Sequence, residues 1–377
     1  MDLSYTPEEE EFRARLRDWL ATTLPGLPPK PSPDDWPGRR AYDLGWQRRL
    51  HDAGYADVHW DASPTLRLIF LEETEQAGAP YVGANFVGLL HAGPTIAAEG
   101  TPEQRERWLP PILRGEEVWC QGFSEPEAGS DLAALRTRAR RDGDTYVVTG
   151  SKIWTSHAEV ADWCELLVRT DPHAPKHRGI TWLAMPMDAP GITVRPLRTL
   201  AGSAEFAEVF LDEVCVPVEN RVGDENDGWR VTMVTLSFER GTAFAGEVVA
   251  CRRVLAELAV EARKNGRWDD PALRRRLGRL GAEFRALWRL AQWNVSAAEA
   301  SGGVPGTGGS VFKLRYSHAR QELYDAAAEV LGADCLDLDR PWTLDRLSSL
   351  SYTIAAGTSQ IQHTIVAERI LGLPKGR

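Results

Sequence analysis

The sequence predicts a mainly helical α+β protein, with a helical first third, a small antiparallel β domain in the middle and antiparallel bundle helices at the end. Three observations predict it. Apolar residues recur at helical spacing through the first 117 residues; β-branched runs bounded by Gly and Pro fill 118–226; and the helical period returns from 227 to 377. A chain of 377 residues exceeds what one growing core accommodates, so these texture changes are taken as domain boundaries at 1–117, 118–226 and 227–377.

The first helix is signalled at Thr6, where Pro7 and Glu9 complete a capping box with proline at the first helical position. Phe12, Leu16, Trp19 and Leu20 then share one face. Prolines 25, 28, 29, 31 and 33 end that helix, and Tyr42 to Ala53, Thr65 to Ala77, Val82 to Glu99 and Pro102 to Leu113 have helical character. In the middle, TYVVTGSKIWTS, CELLVRT, GITWLAMP, GITVRPL and AEVFLDEVCVP are strands, with a hairpin turn expected at Thr149-Gly150-Ser151. Leu273, Leu277, Leu280, Phe284, Leu287, Trp288, Ala291 and Val295 trace one long bundle helix. Gly302 to Gly309 is a flexible connection, and Val311 to Leu331 and Thr358 to Leu371 are further helices.

Composition narrows the function. Apolar residues make up 43% and charged residues 26%, as in soluble globular proteins. A net charge of -10 disfavours nucleic acid, whose phosphates demand a surplus of Lys and Arg. Cys120, Cys164, Cys215, Cys251 and Cys335 form no CxxC pair, so reduced cysteines in a cytoplasmic protein are expected. The N-terminus has no signal-peptide core, and no stretch approaches the roughly 18 apolar residues of a membrane span. No G-x-G-x-x-G follows a predicted strand, which argues against a Rossmann domain. His91, His157, His177, His318 and His363 lack metal-ligand spacing, and Ser237 and Ser317 lack a nucleophile elbow. Asp57, His59 and Asp61 alternate as on a strand face, but a solvated loop accounts for them.

The chemistry-bearing run is Gln121 to Asp131, QGFSEPEAGSD, in which hydroxyls and a glycine surround a proline-fixed bend. Its backbone N–H groups suit an anion nest, and an ordinary surface turn capped by Ser130 or Asp131 is the plainer alternative. This run, with Val148 to Ser156 (VTGSKIWTS), Ala207 to Val222 (AEVFLDEVCVPVENRV) and Gly357 to Pro374 (GTSQIQHTIVAERILGLP), resembles the acyl-CoA dehydrogenase family along essentially the whole chain.

The resemblance implies an acyl-CoA dehydrogenase-like fold of N-terminal helical domain, middle antiparallel β domain and C-terminal four-helix bundle, with FAD held between domains and across a subunit interface. It implies flavin contacts from Gln121, Phe123, Ser124, Gly129, Ser130, Trp154, Ser156, Thr358 and Gln360, and from Arg263, which resembles an arginine offered to a neighbouring subunit's FAD. It implies substrate contacts from Ser130, Arg240, Ala356 and Gly357, no metal, and a homo-oligomer (tetramer or dimer) passing electrons to an electron-transfer flavoprotein or similar acceptor. Many members carry the catalytic Glu immediately before the closing Gly-Thr, where this chain has Ala356. Another branch supplies it from the first long helix of the bundle, and Leu236-Ser237-Phe238-Glu239-Arg240-Gly241 resembles that branch, so Glu239 is the expected general base. A plain Glu–Arg surface pair is the bland reading of the same residues. Glu127, Glu329 with Gly332-Ala333, and the short Tyr55 to Pro64 segment depart from the family pattern. A non-catalytic subunit of a heteromeric dehydrogenase and a flavin monooxygenase are the competing readings.

Overall fold

The computed structural model describes residues 4–60, 62–239, 244–300 and 308–375, without the side chains of 59, 238, 239 and 298–300. The helices are α1 (Pro7–Thr23), α2 (Trp36–Asp52), α3 (Pro64–Gln76), α4 (Gly93–Glu99), α5 (Pro102–Leu113), α6 (Gly228–Glu239), α7 (Ala245–Lys264), α8 (Pro271–Ala300), α9 (Gly308–Leu331), α10 (Pro341–Ser349) and α11 (Ser359–Ile365). The strands are β1 (Trp119–Gly122), β2 (Arg138–Asp142), β3 (Thr145–Ser156), β4 (Trp163–Arg169), β5 (Ile180–Pro186), β6 (Ile192–Leu197), β7 (Phe206–Pro217) and β8 (Arg221–Val222). By their contacts the chain forms two compact units, one of Met1–Leu27, Ala62–Ala79 and Arg240–Arg377, the other of Pro28–Asp61 and Pro80–Glu239.

The first unit is all helical. The Thr6 hydroxyl accepts from the Glu9 N–H while the Glu9 carboxylate accepts from the Thr6 N–H, so α1 starts where its capping box predicts. Arg13 and Arg17 of α1 reach Glu73 of α3, each through Nε at 2.5 Å. The whole predicted stripe of α8, Leu273 to Val295, is buried against α7 and α9 through Val248, Leu258, Phe312, Tyr316 and Leu323. Burial of that stripe, at about 25 cal/mol per Å² of apolar surface, is what holds the bundle. The connection expected at Gly302 to Gly309 lies mostly outside the described residues, and α9 already begins at Gly308.

The second unit is an eight-stranded sheet in the order β6-β7-β3-β2-β4-β5-β8, with β1 added beside β4, together with α2, α4, α5 and α6. The sheet is mostly antiparallel, but β1 and β2 both run parallel to β4, a mixture that the strand runs alone do not reveal. Its two faces bury Val148, Leu166, Leu183 and Val209 on one side and Trp119, Leu167, Trp182 and Val231 on the other.

Three local expectations are corrected. Thr149-Gly150-Ser151 is no hairpin: the segment runs through the middle of β3, and Gly150 is required because Thr137 Cα lies 2.7 Å from where its Cβ would stand. The β2–β3 turn sits instead at Gly143, whose φ of 60° suits glycine. Helix α2 begins at Trp36, six residues before Tyr42, because the Asp35 carboxylate caps the Gly38 N–H and Pro37 occupies its first turn. The stretch from Val82 to Glu99 is not one α-helix but a 3₁₀ turn (Gly83–Asn85), a π turn (Gly88–Ala92) and α4. A π turn inserts a residue into the helical ladder and re-aims the side chains on it.

Candidate active site

Within the second unit, the QGFSEPEAGSD run leaves β1 and closes a tight turn in which Glu125 and Ala128 exchange backbone hydrogen bonds of 3.1 and 3.0 Å. A buried ion pair pins that turn. Lys152 Nζ lies 2.9 Å from Glu125 Oε1 and also donates to the Phe123 carbonyl at 3.2 Å. The two Glu125 oxygens additionally accept the backbone N–H groups of Arg136 (2.7 Å) and Thr137 (2.8 Å). Burial would raise the Glu125 carboxyl, but Lys152 and these N–H donors outweigh it and hold it below its ordinary value. Burial also lowers the Lys152 ammonium, against the opposing pull of Glu125. Beyond the turn the loop opens: Pro126, Glu127, Gly129 and Ser130 are exposed, and no atom stands within 4 Å of a Cβ built at Gly129.

Strand β3 then displays a tryptophan. Between Lys152 and Thr155 it carries one residue more than its partner β7, and at this bulge Trp154 adopts a φ of 61°. A left-handed conformation is costly for a bulky side chain and persists where the surroundings enforce it. The bulge turns the indole outward, leaving Trp154 57% exposed with its ring edge on Phe206, while Thr155 beside it is fully buried. Ser156 is half-buried, and His157 follows in the left-handed region at φ 60°. Burial, aided by Arg39, lowers the His157 imidazole to about 4, so it is neutral at physiological pH. An exposed indole, an open glycine-bearing turn and nearby hydroxyls fit a flat aromatic cofactor with a phosphate tail.

Gln121 and Phe123 flank the same turn; Phe123 is buried and Gln121 half-buried. The Gln121 side chain joins two residues that sequence reasoning passed over, His91 on the π turn and Glu165 on β4.

The closing segment belongs to the first unit. Ala356 has a φ of 54° and Gly357 a φ of 83°, so two successive residues are left-handed. Their carbonyls are held from within the unit: Gln362 Nε2 donates to the Ala356 (3.2 Å) and Gly357 (3.3 Å) oxygens, and Lys313 Nζ to the Gly357 oxygen at 2.7 Å. Thr358 caps α11 by accepting the Ile361 N–H, and Gln360 is exposed on its first turn. Just upstream, Tyr352 donates to Glu247 at 3.3 Å; Glu247 also accepts from Tyr316 at 3.1 Å and from Arg320. Glu75 adjoins this network, where burial and the neighbouring Glu247 charge raise its carboxyl to about 7.

Two positions have ordinary structural roles here. Arg263 stacks over Trp268 at 3.9 Å and donates to the Ala259 carbonyl of its own helix. Glu329 pairs with Arg276 at 3.0 Å between α9 and α8. Glu239 is the last residue of α6, its side chain outside the described set, and Arg240 lies outside the described residues.

Three family models match the chain: those of the acyl-CoA dehydrogenase N-terminal domain (residues 6–116), middle domain (120–214) and C-terminal domain (226–371). The chain belongs to the acyl-CoA dehydrogenase family. Among curated relatives, acyl-CoA dehydrogenase IpdE1 of Mycobacterium tuberculosis is 38% identical, covering 97% of this chain and 98% of its own length. Acyl-CoA dehydrogenase FadE34 of the same organism is 42% identical over 87% of this chain, which spans 46% of that longer protein. Among solved structures, the Tcur3481-Tcur3483 steroid ACAD superimposes with a TM-score of 0.85 at 30% identity and full coverage of both chains. The ChsE4-ChsE5 complex from Mycobacterium tuberculosis gives 0.83 at 33% identity, again with full coverage. This acyl-CoA dehydrogenase therefore has the expected fold, a helical N-terminal domain, a β middle domain and a helical C-terminal domain, and it is an oxidoreductase acting on acyl thioesters. Among its described residues, no helix is long and apolar enough to cross a membrane.

Proposed function

We propose that this enzyme removes the α- and β-hydrogens of a bulky, ring-bearing acyl thioester, with FAD as its cofactor and Glu239 as its base. The observation that carries the flavin reading is Trp154, a strained and exposed indole set beside a turn held by a buried ion pair. Bound there, FAD supplies the acceptor for the β-hydride. Gln121, Phe123, Ser124, Gly129, Ser130, Trp154, Ser156, Thr358 and Gln360 would hold it. Arg263 is the weakest member, since Trp268 already occupies its guanidinium.

Glu239 would take the α-proton, and the short Ala356 side chain leaves the space that a carboxylate usually fills. The Ala356 N–H, on a backbone fixed by Gln362 and Lys313, would stabilise negative charge on the thioester oxygen, with Gly357, Ser130 and Arg240 lining the acyl group and its carrier. The domain boundaries 1–117, 118–226 and 227–377 belong to this reading. So does a cytoplasmic location, consistent with five free cysteines.

A steroid-like acyl group is favoured by the steroid ACAD among the structural neighbours, and a paired assembly by the two-protein names of both neighbours. Leu336, Leu338, Leu350, Ile354 and Leu371, large apolar side chains exposed in the first unit, support assembly with a homologous dehydrogenase chain or a second copy. An electron-transfer flavoprotein is the expected electron acceptor. The test is to purify the chain alone and with a co-expressed homologue, measure flavin per chain, and screen both for flavin bleaching by linear, branched and steroid-derived acyl-CoA esters. Bleaching by the steroid class alone is expected. Flavin-free protein in every assembly, or preference for short linear chains, contradicts the proposal.

A further inference from the structure

Behind Gln121 the second unit builds a polar trio that the reading above does not use. Gln121 and Glu165 are register partners across the parallel β1–β4 pair, so their side chains leave the sheet on the same face. The π turn Gly88–Ala92 brings His91 over that face, its ring edge packed on Phe86 at 4.9 Å. Gln121 Nε2 lies 2.9 Å from His91 Nδ1 and 2.7 Å from Glu165 Oε1, and the His91 Nδ1 to Glu165 Oε1 distance is 3.5 Å. Glu165 is fully buried and His91 nearly so, whereas Gln121 is half-buried.

A primary amide carries two N–H donors on nitrogen and only acceptor capacity on oxygen. Here the amide nitrogen donates to Glu165 Oε1 and also lies against the imidazole Nδ1, so both contacts fall on the same end of the amide. An amide turned the other way would set its oxygen lone pairs against a carboxylate oxygen at 2.7 Å. The trio therefore fixes which end of the amide is displayed: the carbonyl oxygen.

We infer that His91 and Glu165 are positioning residues that hold the Gln121 amide nitrogen and so lock Gln121 as a hydrogen-bond acceptor for the ring N–H of the flavin. The inference rests on the flavin reading of Gln121 proposed above. An acceptor facing the ring N–H opposes the gain of negative charge on reduction, so it lowers the reduction potential. Glu165→Gln keeps the shape and frees the Gln121 amide to turn, because a second amide no longer dictates which end it meets; Gln121→Met keeps the length and removes the amide.

The experiment is dye-coupled reductive titration of the flavin-loaded protein, in whichever assembly retains flavin, with FAD per chain measured in parallel. At the poise that half-reduces the parent protein, each variant is expected to move the reduced-to-oxidised ratio about tenfold toward reduced, equivalent to about 30 mV for a two-electron couple. Gln121→Met should also weaken FAD rebinding by the apoprotein about fivefold, the loss of one net hydrogen bond. Full flavin loading with an unmoved ratio in both variants overturns the inference. If Glu165→Gln does not fold, Gln121→Met decides alone. Absence of flavin from the parent protein in every assembly overturns the flavin reading instead, and this inference with it.

Discussion

Each unit holds an ion pair beside residues assigned to the site, buried in the second unit and half-buried in the first, and the two are built on different principles. Glu125 and Lys152 lie 27 positions apart, on neighbouring segments, and the carboxylate is closed off by Lys152 and two backbone N–H groups. Glu247 and Arg320 lie 73 positions apart on α7 and α9, and their neighbourhood is crowded: Tyr316 and Tyr352 donate to Glu247, and Glu75 adds a second carboxyl. The first pair fixes a turn, whereas the second ties helices together and reaches the closing segment through Tyr352. A fully satisfied pair has one stable charge state; a crowded one carries a titratable neighbour.

Breaking these pairs separates the two designs. Lys152→Met leaves Glu125 buried without its counter-charge and should cost about 3–5 kcal/mol of stability with loss of bound flavin, read by urea denaturation and flavin absorbance. Arg320→Met should cost less, about 2–3 kcal/mol, because the two tyrosines still donate to Glu247. Flavin retention should survive that change, since the turn at Glu125 is untouched; equal flavin loss in both variants would erase the distinction.

Glu75→Gln sharpens the contrast through pH. Its folded value, raised from 4.5 to about 7 by burial and Glu247 against the opposing Arg253 and Arg320, means that the folded chain binds the proton more tightly than the unfolded one. That contribution is fully present below pH 4.5 and is lost as pH rises through 7. The variant should therefore be more stable than the parent at pH 8, on the order of 1 kcal/mol given its partial exposure, with the gap closing toward pH 5. A pH-independent difference would remove the crowded-charge explanation.

The smallest effect at neutral pH concerns His157. Its folded value, lowered from 6.5 to about 4, makes the folded chain resist protonation, so stability falls as pH drops from 6.5 toward 4. His157→Asn, which tolerates the left-handed backbone, should match the parent at pH 7.5 and exceed it at pH 5 in thermal denaturation. A deficit at both pH values would assign the imidazole a packing role instead.

How much of this was legible depended on how local the physics is. The capping box at Thr6, the long stripe of α8 and the QGFSEPEAGSD turn are written in neighbouring residues, and each was found where its pattern predicts. Gly150 misled because a glycine demanded by the close approach of Thr137 looks, in sequence, like a glycine demanded by a turn. The π turn that aims His91 depends on packing rather than propensity, so His91 read as a scattered histidine until β1 and β4 brought Gln121 and Glu165 to it. Glu247 and Arg320 gave no signal, because nothing in a single sequence pairs two residues that far apart.

Position 356 holds alanine, and Glu239 is the base proposed in its place. Anaerobic single-turnover mixing of Glu239→Gln enzyme, fully loaded with flavin, with a thioester that bleaches the parent tests it most directly. The expected result is flavin reduction slowed by about a thousandfold with FAD content and substrate binding retained, as removal of a general base demands. Bleaching at the parental rate would contradict the account and return the base to an unassigned residue.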